Sequence, residues 1–468
     1  MMITENQLEQ LALSWFQDTG YYYLNGADIA PESSNPYRND YREVLLMREC
    51  IAAWQQINPS IPAEKLEEAY RVLKNAQGAN MVVRNKAFHQ LLIDGIRVEV
   101  DKNGQKEPEL VMPIDFKNSF NNRFLVVNQF SISGAKHTRR PDIVLFINGL
   151  PLAIIELKNP ADKDTDVWDA YNQLQTYKQE IEDLFLCNEA LVVSDGITAR
   201  VGSLTANKER FLPWRTINNE NDRPLVEFEL ENVVKGFFQP ELFLDYIRHF
   251  VLFEQDGEKL IKKIAAYHQF HAVREAVKAT IIAANVPKVG VVSRPRATYG
   301  KEVELGCKKA GVIWHTQGSG KSISMVCYAG KLLQQPQMQN PTIVVVTDRS
   351  DLDGQLFATF SQSADLLKQT PVQANSREDL RDILESRQSG GIVFTTIQKF
   401  SLYAGESKHP QLSKRHNIVV ISDEAHRSQY GHKAVLDTKT GAYKYGFSQH
   451  LREALQNATF IGFTGTPI

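Results

Sequence analysis

Trp314-His315-Thr316-Gln317-Gly318-Ser319-Gly320-Lys321-Ser322 follows a short apolar run, Val312-Ile313. It leads into Ile323-Ser324-Met325-Val326, which can continue as a buried helix. Strand, glycine loop and helix in that order make a cradle for a triphosphate. Gly318 and Gly320 let the backbone turn its N–H groups toward phosphate oxygens, and the helix start adds a partial positive charge. Thr316, Gln317, Gly318, Ser319, Gly320, Lys321 and Ser322 are therefore candidate contacts for ATP. Within that set Lys321 would reach the β- and γ-phosphates, and the Ser322 hydroxyl would ligate Mg²⁺. The pattern ordinarily opens with Gly, and His315 stands there instead. Taken alone, the stretch also reads as a Gly/Ser turn that happens to precede Lys-Ser.

Downstream, apolar runs at Thr342–Thr347, Gly391–Thr396, Asn417–Ser422 and Thr459–Phe463 alternate with helical segments. That alternation predicts a parallel sheet covered on both faces, with functional residues at the C-terminal ends of its strands. Asp423-Glu424-Ala425-His426 occupies such an end, directly after Ile418-Val419-Val420-Ile421. Asp423 would hold Mg²⁺, mostly through water, and Glu424 would take the proton from the attacking water.

The totals bound the rest. A chain of 468 residues is too long for one core, so two or three domains are expected. With 43% hydrophobic and 23% charged residues the composition is that of a globular protein. The net charge of −2 means that any contact with nucleic acid uses local basic patches. Cys50, Cys187, Cys307 and Cys327 form no Cys-x-x-Cys pair, which argues against zinc or a disulfide frame and fits a reducing cytoplasm. No signal peptide is visible, and no apolar run approaches the ~20 residues that a membrane span needs.

At the N-terminus Thr4 and Gln7 read as a capping box for a helix carrying Leu8, Leu11, Ala12, Trp15 and Phe16, stopped by Gly20. Glu9 on that helix reads as a solvated surface carboxylate, with an active-site role the alternative. Tyr41–Gln56 and Pro62–Asn75 look like two more helices; Met81–Val100 and Arg123–Ile132 look strand-like. Next, Arg140-Pro141-Asp142 opens an apolar run to Ile147, Asn148-Gly149 signals a hairpin, and Leu150 to Lys158 returns. Charged Asp142, Glu156 and Lys158 at the ends of such strands need a reason. Two carboxylates sharing Mg²⁺ supply one, and Lys158 could orient the attacking water or steady the phosphorane charge. Alternation puts Glu156 and Lys158 on one face, but Asp142 joins them only if the loop is odd. A three-residue loop, Ile147-Asn148-Gly149 with Gly149 left-handed, is the expectation. On the helix that follows, Gln173 and Tyr177 stand at i, i+4 on one face. Farther on, Ala199–Leu204 and Phe211–Arg215 mix basic and aromatic residues, a mixture that can lie along a DNA backbone or form a solvated loop. The pattern breaks at Gly236 to Pro240; Glu241–Phe250 reads as an amphipathic helix, and Asp256-Gly257 as a tight turn.

Pro141-Asp142, Glu156-x-Lys158 and Gln173-x-x-x-Tyr177 together resemble the PD-(D/E)xK nuclease core in its RecB-like branch, where the Gln and Tyr help position DNA near the metal. The Tyr267-His268-Gln269-Phe270 stretch resembles the adenine-reading Q motif of superfamily 2 helicases, with Gln269 on the adenine edge; alone it also reads as a buried Tyr and an incidental Gln. Thr347-Asp348-Arg349 and Thr395-Thr396-Ile397-Gln398-Lys399-Phe400 match strand-end segments that grip DNA phosphates in such motors, and Thr464-Gly465-Thr466-Pro467 matches the segment that couples hydrolysis to strand movement. Nuclease followed by motor resembles the restriction (R) subunit of type I restriction–modification enzymes, over nearly the whole chain. The fold class implied is α/β: a PD-(D/E)xK endonuclease domain at 1–235, a seam at 236–265, and one RecA-like parallel-sheet P-loop domain at 266–468. The resemblance implies an ATP-driven translocase on double-stranded DNA that cuts far from its recognition site, with methyltransferase (M) and specificity (S) subunits as partners. That family continues with a second RecA-like domain and a helical region, whereas this sequence stops at Ile468. The expectation for the chain alone is weak ATP binding, slow hydrolysis and no translocation. Two other readings stand beside it: a repair or anti-phage helicase–nuclease without methyltransferase partners, and a non-catalytic remnant that binds DNA and nucleotide.

Overall fold

Thr4 and Gln7 close the capping box of α1 (Glu5–Asp18): the Thr4 hydroxyl accepts from the Gln7 N–H at 3.3 Å, and the Gln7 side chain accepts the Thr4 N–H at 2.8 Å. Leu8, Ala12, Trp15 and Phe16 turn inward from this helix, and Gly20 (φ 96°) follows its last turn. The computed structural model describes residues 4–102, 104–159, 166–218, 222, 224, 226–284, 303–316, 318–348, 350–425, 435–436, 443–444 and 446–466. The chain folds as two units, Met1–Tyr267 and His268–Ile468. Among the described residues no helix is long and apolar enough to cross a membrane.

In the first unit six strands lie side by side in chain order: β1 (Tyr22–Asn25), β2 (Phe124–Asn128), β3 (Ile143–Ile147), β4 (Leu150–Leu157), β5 (Ala190–Ser194) and β6 (Ala199–Gly202). β1–β2 and β4–β5 run parallel and the other neighbours antiparallel. Every residue of β3, β4 and β5 is buried, as apolar runs without alternation require. α2 (Val167–Glu180) packs on β4 and β5. Helices at Met47–Ile57 and Ala63–Lys74 answer the two expected there. The strand expected from Met81 is instead a helix, Met81–Asp94, and extended chain begins only at Ile96. Asn80 caps it by accepting the Val83 N–H at 3.0 Å, and Asn85, Phe88, His89 and Leu92 form its buried face. The paired valines that suggested a strand sit off that face.

The hairpin between β3 and β4 differs from the expected three-residue loop. Its turn holds two residues, Asn148 (φ 51°) and Gly149 (φ 78°), closing Ile147 onto Leu150. The odd residue lies inside β4: Phe146 pairs with Pro151 but Leu145 pairs with Ala153, so Leu152 is a bulge. Pro151 has no N–H to give the ladder, which makes the slip natural there. Beyond the bulge Ile143 faces Ile155, so Asp142 comes opposite Glu156 on one face of the sheet. Turn length alone would have set them on opposite faces.

The stretch 236–265, expected as a seam, is ordered structure of the first unit. It holds a helix (Pro240–His249) and a hairpin of β7 (Val251–Asp256) and β8 (Lys259–Ile264), turning at Gly257 (φ 58°). Lys262 fastens it. Its wholly buried ammonium pairs with Glu189 at 2.9 Å and donates to Asn188 O at 2.6 Å and Asn85 Oδ1 at 3.0 Å, while His89 Nδ1 meets Glu189 at 3.0 Å. A charge so placed is tolerable only because each of its bonds is made.

The Tyr267 stretch opens α3 (Tyr267–Ala284). In the second unit β9 (Lys309–Trp314), α4 (Lys321–Leu333), β10 (Thr342–Thr347), β11 (Val372–Gln373), β12 (Ile392–Thr396), β13 (Ile418–Ser422) and β14 (Thr459–Thr464) follow one another. The strands pair in parallel in the order β9-β14-β13-β10-β12-β11. This is the RecA-like parallel-sheet arrangement, and its crossovers bring successive strand ends to one rim.

Candidate active sites

At the β3–β4 strand ends the register places Asp142, Glu156 and Lys158 together. Asp142 Oδ2 accepts the Leu157 N–H at 2.7 Å, which fixes its carboxylate beside β4. Glu156 is only 1% exposed, and neither of its oxygens has a hydrogen-bond partner. Lys158 Nζ stands 3.6 Å from Glu156 Oε1 and donates to Gln173 Oε1 at 2.6 Å and Leu157 O at 3.0 Å. Gln173 in turn donates to the Tyr177 hydroxyl at 2.6 Å. The five residues singled out in the sequence thus form one connected cluster, with the i, i+4 pair of α2 steadying the lysine.

The charges are unbalanced. Burial pushes the Asp142 carboxyl up to about 6, the Glu5 and Glu9 carboxylates adding to the rise against the Leu157 bond and Lys158. Glu156 lies well above the ordinary range, through burial first and the Asp142 charge second. Two buried carboxylates that repel each other, one without a donor, are the donor set a divalent cation would satisfy. Among the described residues no third His, Cys, Asp or Glu converges to complete a cage. Mg²⁺ commonly uses one or two carboxylates and completes its shell with water and substrate phosphate, so Asp142 and Glu156 fit it.

Glu9 corrects the sequence reading. It is buried, and it accepts from Asn128 Nδ2 at 2.7 Å and Gln129 Nε2 at 2.6 Å; the Gln129 N–H donates to Asp142 O at 2.9 Å. Glu9 therefore stands in the wall of this site. Its spacing to Ala12, Leu13 and Phe16 on the inner face of α1 was the available signal. The basic and aromatic stretch after β6 is also different from expectation: Phe211 and Trp214 are each 3% exposed and pack in the core, so neither can stack on a base.

In the second unit Gly318 and Gly320 both take φ 83°, and Gly320 caps α4, whose first turn holds Lys321 and Ser322. The loop closes on itself through Thr316 O, which accepts the Ser319 N–H at 3.1 Å and hydroxyl at 2.7 Å. Lys321 Nζ lies 2.8 Å from Asp423 Oδ1 and also bonds Glu424 Oε1. Burial opposes its charge, but those two bonds carry it above the ordinary lysine range. Glu424 holds φ 47°, a conformation uncommon outside glycine and frequent at working sites. Lys321, Asp423 and Glu424 are therefore together, as the motif order implied.

Gln269 of α3 donates through Nε2 to Ser319 O and Gly320 O, each at 2.9 Å, so this nitrogen braces the phosphate loop. A Cβ on Gly320 would sit 2.6 Å from it, a second reason for glycine there. His315 is buried against the His268 ring (5.6 Å between centroids), and its backbone N–H donates to Thr464 O at 3.0 Å. Burial, with His268 and Lys321 beside it, holds the His315 imidazole down to about 4, so the side chain replacing the usual Gly is neutral. At the neighbouring strand ends Gln398 Nε2 donates to Asp348 O at 3.0 Å, and the Lys399 ammonium donates to Ala374 O. Lys399 thus serves the fold. Gln317, Arg349, His426 and Pro467 lie outside the described residues.

Residues 2–210 match the family described as type I restriction enzyme R protein N terminus, and residues 268–468 match the family described as SWI2/SNF2 ATPase. The HindI endonuclease subunit of a Haemophilus influenzae type I restriction enzyme is 48% identical over 471 residues, covering 100% of this chain and 43% of that protein. A candidate type I MjaIXP endonuclease subunit from Methanocaldococcus jannaschii is 34% identical over 480 residues, covering 98% of this chain and 42% of its own length. A Staphylococcus aureus type I endonuclease subunit is 26% identical over 427 residues, 86% of this chain and 40% of that one. The chain spans less than half the length of each of these relatives.

Proposed function

The chain joins the N-terminal domain of type I restriction enzyme R proteins to an SWI2/SNF2 ATPase domain, and on that premise we propose that it is the motor and endonuclease part of a type I restriction–modification complex. In this reading the first unit cuts double-stranded DNA with Mg²⁺, and the second uses ATP to drive translocation that carries cleavage away from the recognition site. Methyltransferase and specificity subunits supply recognition. The observation that carries the nuclease half is Glu156, a buried carboxylate without a hydrogen-bond donor, opposite Asp142 and 3.6 Å from Lys158.

Asp142 and Glu156 would hold the cation, which when bound supplies Lewis-acid polarisation of the scissile phosphate and an activated water. Lys158, kept in place by Gln173 and Leu157 O, orients the attacking water or steadies charge gathering on the phosphorane. Tyr177 acts through Gln173, as a positioning group. In the motor half Lys321 exchanges its two carboxylate partners for the β- and γ-phosphates of ATP. With those bonds released, Asp423 and the Ser322 hydroxyl would hold Mg²⁺, and Glu424 would accept the proton of the attacking water.

Nicking of supercoiled plasmid over a Mg²⁺ series tests the first half. Cleavage by the parent that disappears in both Glu156→Ala and Lys158→Ala is expected; no cleavage at any Mg²⁺ concentration would leave a non-catalytic binder as the better account. For the second half, Lys321→Ala should weaken binding of a fluorescent ATP analogue at least about tenfold, through removal of one charge-assisted bond to phosphate.

A further inference from the structure

Two residues before Asp142 the chain leaves a small hairpin whose tip is unusually basic. Ile132–Ser133 pairs with Thr138–Arg139, and the Gly134 N–H donates to His137 O at 2.8 Å across the turn. Between Ser133 and Pro141 the sequence is Gly-Ala-Lys-His-Thr-Arg-Arg, with Lys136, His137, Arg139 and Arg140 and no acid. In a chain of net charge −2 this is a local departure.

The hairpin is anchored chiefly on the last turn of α2. Arg139 forks onto Glu180 in the last turn of α2, through Nε and through Nη2 at 2.9 Å, and His137 Nε2 lies 3.6 Å from the same carboxylate. The Gly134 backbone rests so closely on that turn that a Cβ would meet Glu180 O at 1.8 Å. The Ser133 and Thr138 hydroxyls join at 2.8 Å, and the Ser133 N–H reaches Tyr41 O at 3.0 Å. What remains is Lys136 and Arg140. Both are exposed, and among the described residues neither has an acidic partner.

A purely solvated charge run would need no such mounting. The anchor is α2, whose Gln173 holds Lys158, and the chain passes from Arg139 through Arg140 and Pro141 straight to Asp142. At most 3.8 Å separates successive Cα atoms, so a cation at Arg140 falls within a side chain's reach of the phosphates flanking one held by Asp142 and Glu156. We propose that the 134–140 hairpin is a phosphate-backbone clamp that seats duplex DNA against the Asp142–Glu156 pair, with Lys136 and Arg140 as the cations that meet phosphate. This deepens the nuclease reading and rests on it. Arg139 is the anchor and does not meet DNA, because both arms of its fork are taken by Glu180.

Binding of a labelled duplex by the full 468-residue chain, followed by anisotropy in EDTA over a salt series, tests the clamp without cleavage. Each phosphate that is no longer neutralised makes the slope of log Kobs against log salt shallower by about 1. Lys136→Ala and Arg140→Ala should each do so, the double variant by about 2, on any duplex sequence. Arg140→Lys should restore the parent slope, since a phosphate accepts either cation. Lys106→Ala, at an exposed site on another hairpin, should leave the slope unchanged. An unchanged slope in the double variant overturns the clamp, as does an equal change with Lys106→Ala or a parent that fails to bind duplex. The plasmid-nicking assay separates the two claims: nicking with an unchanged slope sinks the clamp alone, and altered slopes without nicking sink the nuclease reading while keeping the DNA surface.

Discussion

Glu156→Gln should remove cleavage and, in the absence of metal, make the protein more stable at pH 8. Asp142 normally loses its proton near 3.8 and in the fold is pushed up to about 6. The folded state therefore binds that proton more tightly than the unfolded chain. The resulting stability is fully present below pH ~4, drains as pH rises toward ~6, and is gone above. The amount lost between pH ~4 and neutral pH is about 3 kcal/mol, at about 1.4 kcal/mol per tenfold change in affinity. Glu156 shifts in the same direction, burial first and the Asp142 charge second, so in the metal-free parent the two carboxyls oppose each other's ionisation. Gln keeps the shape and removes the carboxyl whose ionisation Asp142 opposes. The expected gain is on the order of 2 kcal/mol at pH 8 and smaller at pH 5, below the value of about 6 at Asp142, where the pair holds less charge. Urea denaturation in EDTA at both pH values measures it, and added Mg²⁺ should stabilise the parent at pH 8 while leaving the variant unmoved. A Gln variant no more stable than the parent at pH 8, or a gain equal at the two pH values, would refute the reasoning.

Gly149→Ala tests the hairpin, since φ is 78° and a Cβ would lie 2.6 Å from Leu46 O and 2.9 Å from Cys50 N; a loss of about 2 kcal/mol or more is expected in the melting curve. Glu189→Ala should cost about 3–5 kcal/mol by stranding the buried Lys262 ammonium, and adding Lys262→Met should recover most of it. Recovery in the double variant distinguishes a stranded charge from a simple cavity.

Much of this molecule could be read along the chain because its signals are contiguous. The phosphate loop, its glycines and the strand ends carrying Asp423 and Glu424 need only local order to be recognised. Glu156 and Lys158 share a face through alternation alone, and Gln173 and Tyr177 through helical spacing. Other features failed because their causes are distant in sequence. Glu9 looks like any surface carboxylate until Asn128 and Gln129 reach it from β2. Lys262 looks like part of a seam until Glu189, Asn188 and Asn85 enclose it. The helix at Met81–Asp94 needed the partners of Phe88 and Leu92 to outweigh its valines.

The amino-acid sequence by itself determined which residues could carry the chemistry and the order of the two units, since both are properties of local pattern. Whether Asp142 and Glu156 share a face was decided only in three dimensions. Strand parity turns on a single residue, and the extra one is absorbed at Leu152, beside a proline that cannot give its neighbour a hydrogen bond. The loop chosen from sequence reached the same parity by a different path, because counting residues cannot reveal where a ladder slips.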